Sequence, residues 1–301
     1  MKIHSMCLLF LLPVSLLWTC PAFSKSDTAG SSQPQSPDSQ EKTILEKQIR
    51  QEKKAASSPN IISLHRPNYV LPYYYTASPY QAIYLNSTPN NQLINKEEFK
   101  AQLSLKIPIL RNLIKKKPLS LNFAYTQLMY WQFYAKSQYF RETNYEPELY
   151  LEHDINSRLQ TRFGVDHQSN GRGGELERSW NRLVVQLNLS GNRWLVGLRG
   201  WALIGTADSS KLHNPDIAHY LGYENLLFAH ELPFQSKLSV EIQNIESGLK
   251  RGFVQATLSF PILDTLSIYG QFFSGYGQSL IEYNHRTTSA GIGIVLNDWI
   301  S

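Results

Sequence analysis

The chain has 301 residues, 42% of them hydrophobic, and a formal charge of +5. That length suits one large domain, and the mild basic excess, with no Arg/Lys-rich helix to carry it, argues against a nucleic-acid partner. The two cysteines, Cys7 and Cys20, both lie near the N-terminus, so a chain that loses this stretch has neither disulfides nor thiol chemistry.

Residues 1–24 have an export layout. Lys2 supplies the positive start, Met6 to Trp18 an apolar run, and Ala22-Phe23-Ser24 a small-x-small cleavage site before Lys25. Cys20 is a poor lipidation site because Trp18 is bulky, so ordinary cleavage is expected. Residues 25–62 are rich in Ser, Gln, Lys and Pro and read as a disordered linker, in which Thr43 to Lys54 has the makings of a short helix. No later segment approaches the ~18 apolar residues of a spanning helix. Such an exported chain is soluble in the periplasm, secreted, or an outer-membrane barrel.

From residue 63 to 301 the texture is one of alternating strands, the length that a tilted membrane strand needs being about ten residues. Phe99, Ala101, Leu103, Leu105 and Ile107 oppose Lys100, Gln102, Ser104 and Lys106. Leu238, Val240 and Ile242 oppose Ser239, Glu241 and Gln243, and Ala290, Ile292 and Ile294 oppose Gly291 and Gly293. Twelve strands are predicted, near 65–75, 98–110, 118–134, 143–153, 157–169, 180–190, 193–204, 217–229, 235–245, 251–262, 265–274 and 288–298.

Two solvents explain such alternation. A soluble sandwich buries the apolar face; a membrane barrel turns it outward to lipid. The connections decide between them. Segments 76–97, 170–179, 205–216 and 275–287 are long, whereas Ser190-Gly191-Asn192, Glu231 to Phe234 and Leu263-Asp264 are tight. Long on one side and short on the other, with an even strand count and aromatics such as Tyr73, Tyr130, Trp131 and Trp194 at strand ends, is the layout of a twelve-stranded all-β transmembrane barrel. One departure is the C-terminus, where Trp299 stands two residues before the end.

On one strand Leu159, Thr161, Phe163, Val165, His167 and Ser169 share a face; on the next, Asn181 shares one with Leu183, Val185 and Leu187. A histidine, a serine and an asparagine thus lie on the apolar side, beside a long loop. An imidazole reaches a serine two residues along a strand, and an asparagine on the paired strand reaches the other ring nitrogen. That is the layout of an activated nucleophile, with Ser169 attacking, His167 as base then acid, and Asn181 fixing the tautomer. On spacing alone, a His and a Ser two apart are more often ordinary polar residues near an aqueous rim.

The blocks His167-Gln168-Ser169-Asn170-Gly171-Arg172 and Ser179-Trp180-Asn181-Arg182 resemble the signature of the outer-membrane phospholipase A family. So do Phe140-Arg141-Glu142-Thr143-Asn144-Tyr145-Glu146-Pro147, Tyr125-Thr126-Gln127 and Ser274 to Ile281, and the likeness runs from about residue 65 to 299. The resemblance implies a barrel in the Gram-negative outer membrane that hydrolyses phospholipid acyl esters to lysophospholipid and fatty acid. It implies a triad of His167, Ser169 and Asn181, facing the cell surface, and calcium at a homodimer interface. The implied metal contacts are the Arg172 carbonyl, a loop serine and a serine of the partner subunit matching Ser137. The loop serine falls at Glu177, a departure: glutamate is a harder, charged oxygen ligand, and the site binds calcium more tightly there or shifts toward Glu175. The amide of Ser169 together with calcium would then face the oxyanion. Gln127, on a lipid-facing stripe, is expected to hydrogen-bond across the dimer, and Tyr145 to place the acyl chain or head group. Two other classes stay in view, a passive pore or structural barrel and a soluble sandwich; large and charged interior residues such as Arg158, Arg162, Arg199, Lys237 and Glu241 argue for a filled lumen.

Overall fold

The computed structural model describes residues 42–56, 62–115, 117–205 and 213–300; the expected export signal and cleavage site lie outside the described residues. Among the described residues, after a two-residue strand at Ser63–Leu64 that pairs with Lys106 and Leu105, twelve antiparallel strands form the wall: β1 (Asn68–Thr76), β2 (Glu97–Leu110), β3 (Leu119–Trp131), β4 (Phe140–Asp154), β5 (Leu159–Ser169), β6 (Ser179–Ser190), β7 (Trp194–Leu203), β8 (Glu224–Glu231), β9 (Lys237–Gln243), β10 (Phe253–Leu263), β11 (Leu266–Tyr276) and β12 (Arg286–Asn297). Each pairs with its neighbours in the chain, and β12 pairs back onto β1, with Ala290 opposite Tyr75. Closure leaves no edge with unpaired backbone groups, as a sheet surrounded by hydrocarbon requires.

The faces are inverted relative to a soluble protein. On β6, Leu183, Val185, Leu187 and Leu189 are exposed, while Arg182, Asn188 and Ser190 are buried. The same holds round the sheet, with Phe123, Leu149, Phe163, Leu198, Phe228, Phe260, Phe272 and Ile292 all outward. A soluble sandwich would bury these side chains, so the outward apolar band excludes that class.

The lumen is packed with paired charges. Arg66 donates to Glu146 at 2.8 and 2.9 Å and to Glu148 at 2.7 Å. Arg182 bridges Asp166 at 2.7 Å and Glu146 at 3.0 Å. Arg199 reaches Glu148 at 3.0 Å and also Asp166. Charges out of water persist only when neutralised and hydrogen-bonded, which this alternation of arginines and carboxylates achieves.

Each mouth is closed by a segment that departs from strand geometry. The strand predicted over 217–229 is a correction: Ile217–Leu221 forms the helix α2, Gly222 turns at φ +67°, and β8 starts only at Glu224. The reason is packing. Ile217 and Leu221, one helical turn apart, are buried with Trp180, Val184, Trp201, Leu280 and Tyr283 across the long-loop mouth. There the Tyr283 hydroxyl donates to Asp216 at 2.6 Å, and burial together with that carboxylate holds the phenol well above its usual range, so it stays a donor. At the other mouth, Ile44–Ala56 forms the helix α1 inside the stretch expected as linker. Thr43 Oγ1 accepts from the Glu46 amide at 3.2 Å, an N-cap. Ile44 and Leu45 are fully buried against Leu195, Leu227, Ala229 and Ile300, inward-facing apolar residues that the helix covers.

Candidate active site

The candidate triad is carried by β5 and β6, whose register puts Asp166 opposite Arg182, His167 opposite Asn181, Gln168 opposite Trp180 and Ser169 opposite Ser179. Inward-pointing neighbours lock that register. Arg182 bonds Asp166, and the Trp180 indole donates to Gln168 Oε1 at 2.7 Å. The alternate residues therefore point outward: His167 beyond Phe163 and Val165, Asn181 beyond Leu183 and Val185. His167 Nδ1 lies 2.8 Å from Asn181 Oδ1. An amide oxygen only accepts, so the bond assigns the proton to Nδ1 and leaves the Nε2 lone pair as a base. Among the described residues no hydrogen bond joins His167 to Ser169; the two share a face at the two-residue spacing, roughly 6.5–7 Å between Cα atoms.

One row of paired residues crosses this face. Leu103 pairs with Gln127, Gln127 with Tyr145, Tyr145 with Ser169 and Ser169 with Ser179. Gln127 is thus two strands from Ser169, about 10 Å at the usual strand spacing. Its Oε1 accepts from the Tyr125 hydroxyl at 3.1 Å, and its amide N–H groups have no partner among the described residues.

The loop after Ser169 is built round a residue that sequence reasoning passed over. Asn170 is buried; its Oδ1 accepts from the Arg178 amide at 3.0 Å and the Arg172 amide at 3.3 Å, and its Nδ2 donates to the Leu176 carbonyl at 2.8 Å. An asparagine at a strand end is a turn signal, and that was the available clue. Gly171 follows at φ +63°, where an added Cβ would lie 2.8 Å from the Tyr145 ring. The Arg172 guanidinium bonds Glu142 at 3.0 Å and the Arg141 carbonyl, tying the loop to β4. Arg178 caps the Glu175 and Glu177 carbonyls at 2.7 Å each, whereas their carboxylates carry no ion pair among the described residues. Ser137 sits apart, in the loop between β3 and β4, with no bond to Arg172 or Glu177.

The phospholipase A1 family model matches residues 45–296, which include every residue of this site. The chain belongs to the phospholipase A1 family. Phospholipase A1 of Salmonella typhimurium strain LT2 is 36% identical over 246 residues, 74% of this chain and 82% of that protein. The phospholipase A1 of Escherichia coli strain K12 gives the same identity and coverage. The crystal structure of the Salmonella typhi outer membrane phospholipase dimer with bound calcium matches with a TM-score of 0.74 at 35% identity, over 81% of this chain and 94% of that one. The Escherichia coli outer membrane phospholipase A matches with a TM-score of 0.72 at 34% identity, over 79% and 94%.

This phospholipase has a cavity in the lumen, on the opposite side of the wall from His167 and Asn181. The cavity borders Glu146 and Arg199 and belongs to the ionic packing. Glu146, Glu148 and Asp166 bring carboxylate oxygens within 4.8 Å of one another, close enough for a cation. Arg66, Arg182 and Arg199 already neutralise them, so the phospholipase has no vacancy for a metal there.

Proposed function

We propose that this phospholipase cleaves the acyl esters of membrane phospholipids with Ser169 as nucleophile, His167 as general base and acid, and Asn181 as the group that orients the imidazole. The observation that carries the reading is the 2.8 Å bond between His167 and Asn181 on the outward, apolar face. Exposed Phe163, Val165, Leu183 and Val185 lie along the same strands and offer an acyl chain a continuous apolar bed. Ser169 Oγ attacks the ester carbonyl as His167 Nε2 takes its proton. The imidazolium returns that proton to the departing lysophospholipid alkoxide, and water then releases the fatty acid by the same route. A neutral amide is a weaker partner for imidazolium than a carboxylate, but it spares the lipid-facing surface a buried charge.

The oxygens round the loop suit calcium. The Arg172 carbonyl accepts no hydrogen bond among the described residues, and the Glu175 and Glu177 carboxylates are unpaired. Calcium prefers such hard oxygen ligands. Arg172, with Glu177 or Glu175, would hold it, and Ser137 of the partner subunit would complete the set. When bound, the cation supplies positive charge toward the oxyanion of the tetrahedral intermediate. A second copy packed over Gln127 would border the row that holds Ser169. With the short turns facing the periplasm and the long loops outside, as in bacterial outer-membrane barrels, the triad beside the long loop after β5 lies at the cell surface.

The test is fatty-acid release from phospholipid vesicles by the parent chain and by Ser169→Ala, with and without calcium. Release that needs both the hydroxyl and the cation supports the proposal; undiminished release by Ser169→Ala ends it.

A further inference from the structure

Ser137 is held by side chains that the proposed chemistry does not use. It lies in the loop spanning 132–139, and the loop over 77–96 grips it twice. Gln92 reads the backbone of residue 137 as a strand would: its Nε2 donates to the Ser137 carbonyl at 2.6 Å, and its Oε1 accepts from the Ser137 amide at 3.2 Å. Asn90 Nδ2 donates to Ser137 Oγ at 2.9 Å. A hydroxyl oxygen has two lone pairs, so this bond leaves one free and fixes where it points.

The gripping segment is itself rigid. Thr88 Oγ1 donates to the Gln92 carbonyl at 2.7 Å, closing the turn Pro89–Asn91. Asn90 sits at φ +56°, a conformation asparagine tolerates better than other side chains. A second amide staples the same two loops in reverse: buried Gln132 accepts from the Asn95 amide at 2.7 Å and donates to Glu98 at 3.0 Å. Two primary amides, one from each loop, therefore fix the relation between the loops. Gln132 holds the base of the junction and Gln92 its tip, where the serine is.

We propose that Gln92 and Asn90 are positioning residues that preset Ser137 as an oxygen ligand for a second copy's calcium. Their influence then falls on the partner's triad and not on their own. This rests on the reading above that Ser137 completes the metal site of the partner subunit. Without the clamp a loop serine must be ordered at the moment of binding, which weakens the cation and the dimer together. Losing the paired bonds of Gln92 is expected to raise the calcium needed for half-maximal dimerisation about tenfold.

The experiment uses the full chain in detergent micelles. Calcium-dependent crosslinking is first measured for the parent, Ser137→Ala, Gln92→Ala and Asn90→Ala, with thermal unfolding to show that each is folded. Both clamp variants should need more calcium to dimerise, in the direction of Ser137→Ala. Mixed dimers of differently tagged copies, joined covalently so that dimer dissociation drops out and activity reads calcium at one triad alone, then separate the two sides. A Gln92→Ala copy with its own triad intact, paired with a Ser169→Ala copy, should keep the calcium response of a parent copy paired with Ser169→Ala. A parent copy paired with a Gln92→Ala, Ser169→Ala double variant should show the weakened response. Loss that follows the copy's own triad, or no shift for either clamp variant while Ser137→Ala does shift, overturns the inference alone. No shift for Ser137→Ala removes the underlying calcium reading as well.

Discussion

His167 and Asn181 stand directly opposite one another in the β5–β6 ladder, with Nδ1 and Oδ1 2.8 Å apart. Direct opposition gives the imidazole a partner without any loop having to move, and the bond at Nδ1 leaves Nε2 free of Asn181. Asn181→Ala leaves the ladder intact and frees the ring. The turnover number is expected to fall by about two to four orders of magnitude. Steady-state fatty-acid release, alongside unchanged thermal unfolding, checks it.

Gly171 is the tightest point of the site loop. An alanine there meets both the positive φ and the Tyr145 ring at 2.8 Å. Gly171→Ala is expected to cost about 1 kcal/mol locally and to displace the adjoining Arg172 carbonyl. The measurable result is a lowered rate with a raised calcium requirement, read from activity titrated with calcium.

Glu175 and Glu177 differ in burial, Glu177 being half-buried and Glu175 exposed, and neither carboxylate has a protein partner among the described residues. If Glu177 is the ligand, Glu177→Gln weakens calcium binding by roughly tenfold or more, since a charged oxygen is exchanged for a neutral one. Glu175→Gln then changes little. Isothermal titration with calcium in detergent distinguishes the two, and the opposite ranking moves the site to Glu175.

Gln127 has spare amide donors on a lipid-facing stripe. Such groups are costly in hydrocarbon unless another chain meets them. Gln127→Ala is expected to weaken dimerisation by about 0.6–2 kcal/mol, the range for interhelical polar contacts in bilayers. Crosslinking yield against protein concentration measures it.

Glu146 joins Arg66 and Arg182 inside the lumen. Glu146→Leu takes one carboxylate from each guanidinium and leaves Arg66 to Glu148 and Arg182 to Asp166, with an expected loss of about 1.5–3 kcal/mol of stability. Urea unfolding from lipid vesicles reads this directly. The same filled interior predicts that the parent chain gives no steady conductance in planar bilayers; a stable pore current would favour the passive-channel class.

The strand pattern was legible because it is local. A period-two alternation of ten residues needs no knowledge of the rest of the chain, so all twelve strands were readable, as was the shared face of His167, Ser169 and Asn181. Helix α2 was misread because Ile217 to Leu221 is a short apolar run that suits either period, and only its neighbours Trp201 and Leu280 select the helix. The hold on Ser137 was invisible for a related reason: Gln92 is 45 residues away, and nothing in its own surroundings marks it.

Sequence by itself determined the solvent of each face and the order of strands, since alternation and loop length are properties of adjacent residues. It determined the outward direction of the candidate triad side chains by the same parity. Tertiary structure alone decided which arginine neutralises which carboxylate in the lumen, what closes the two mouths, and which side chains hold the loops beside the triad. Most of those contacts join residues far apart in the chain, such as Arg66 with Glu146 and Gln92 with Ser137, and their partners are set by distance in space, which no local period encodes.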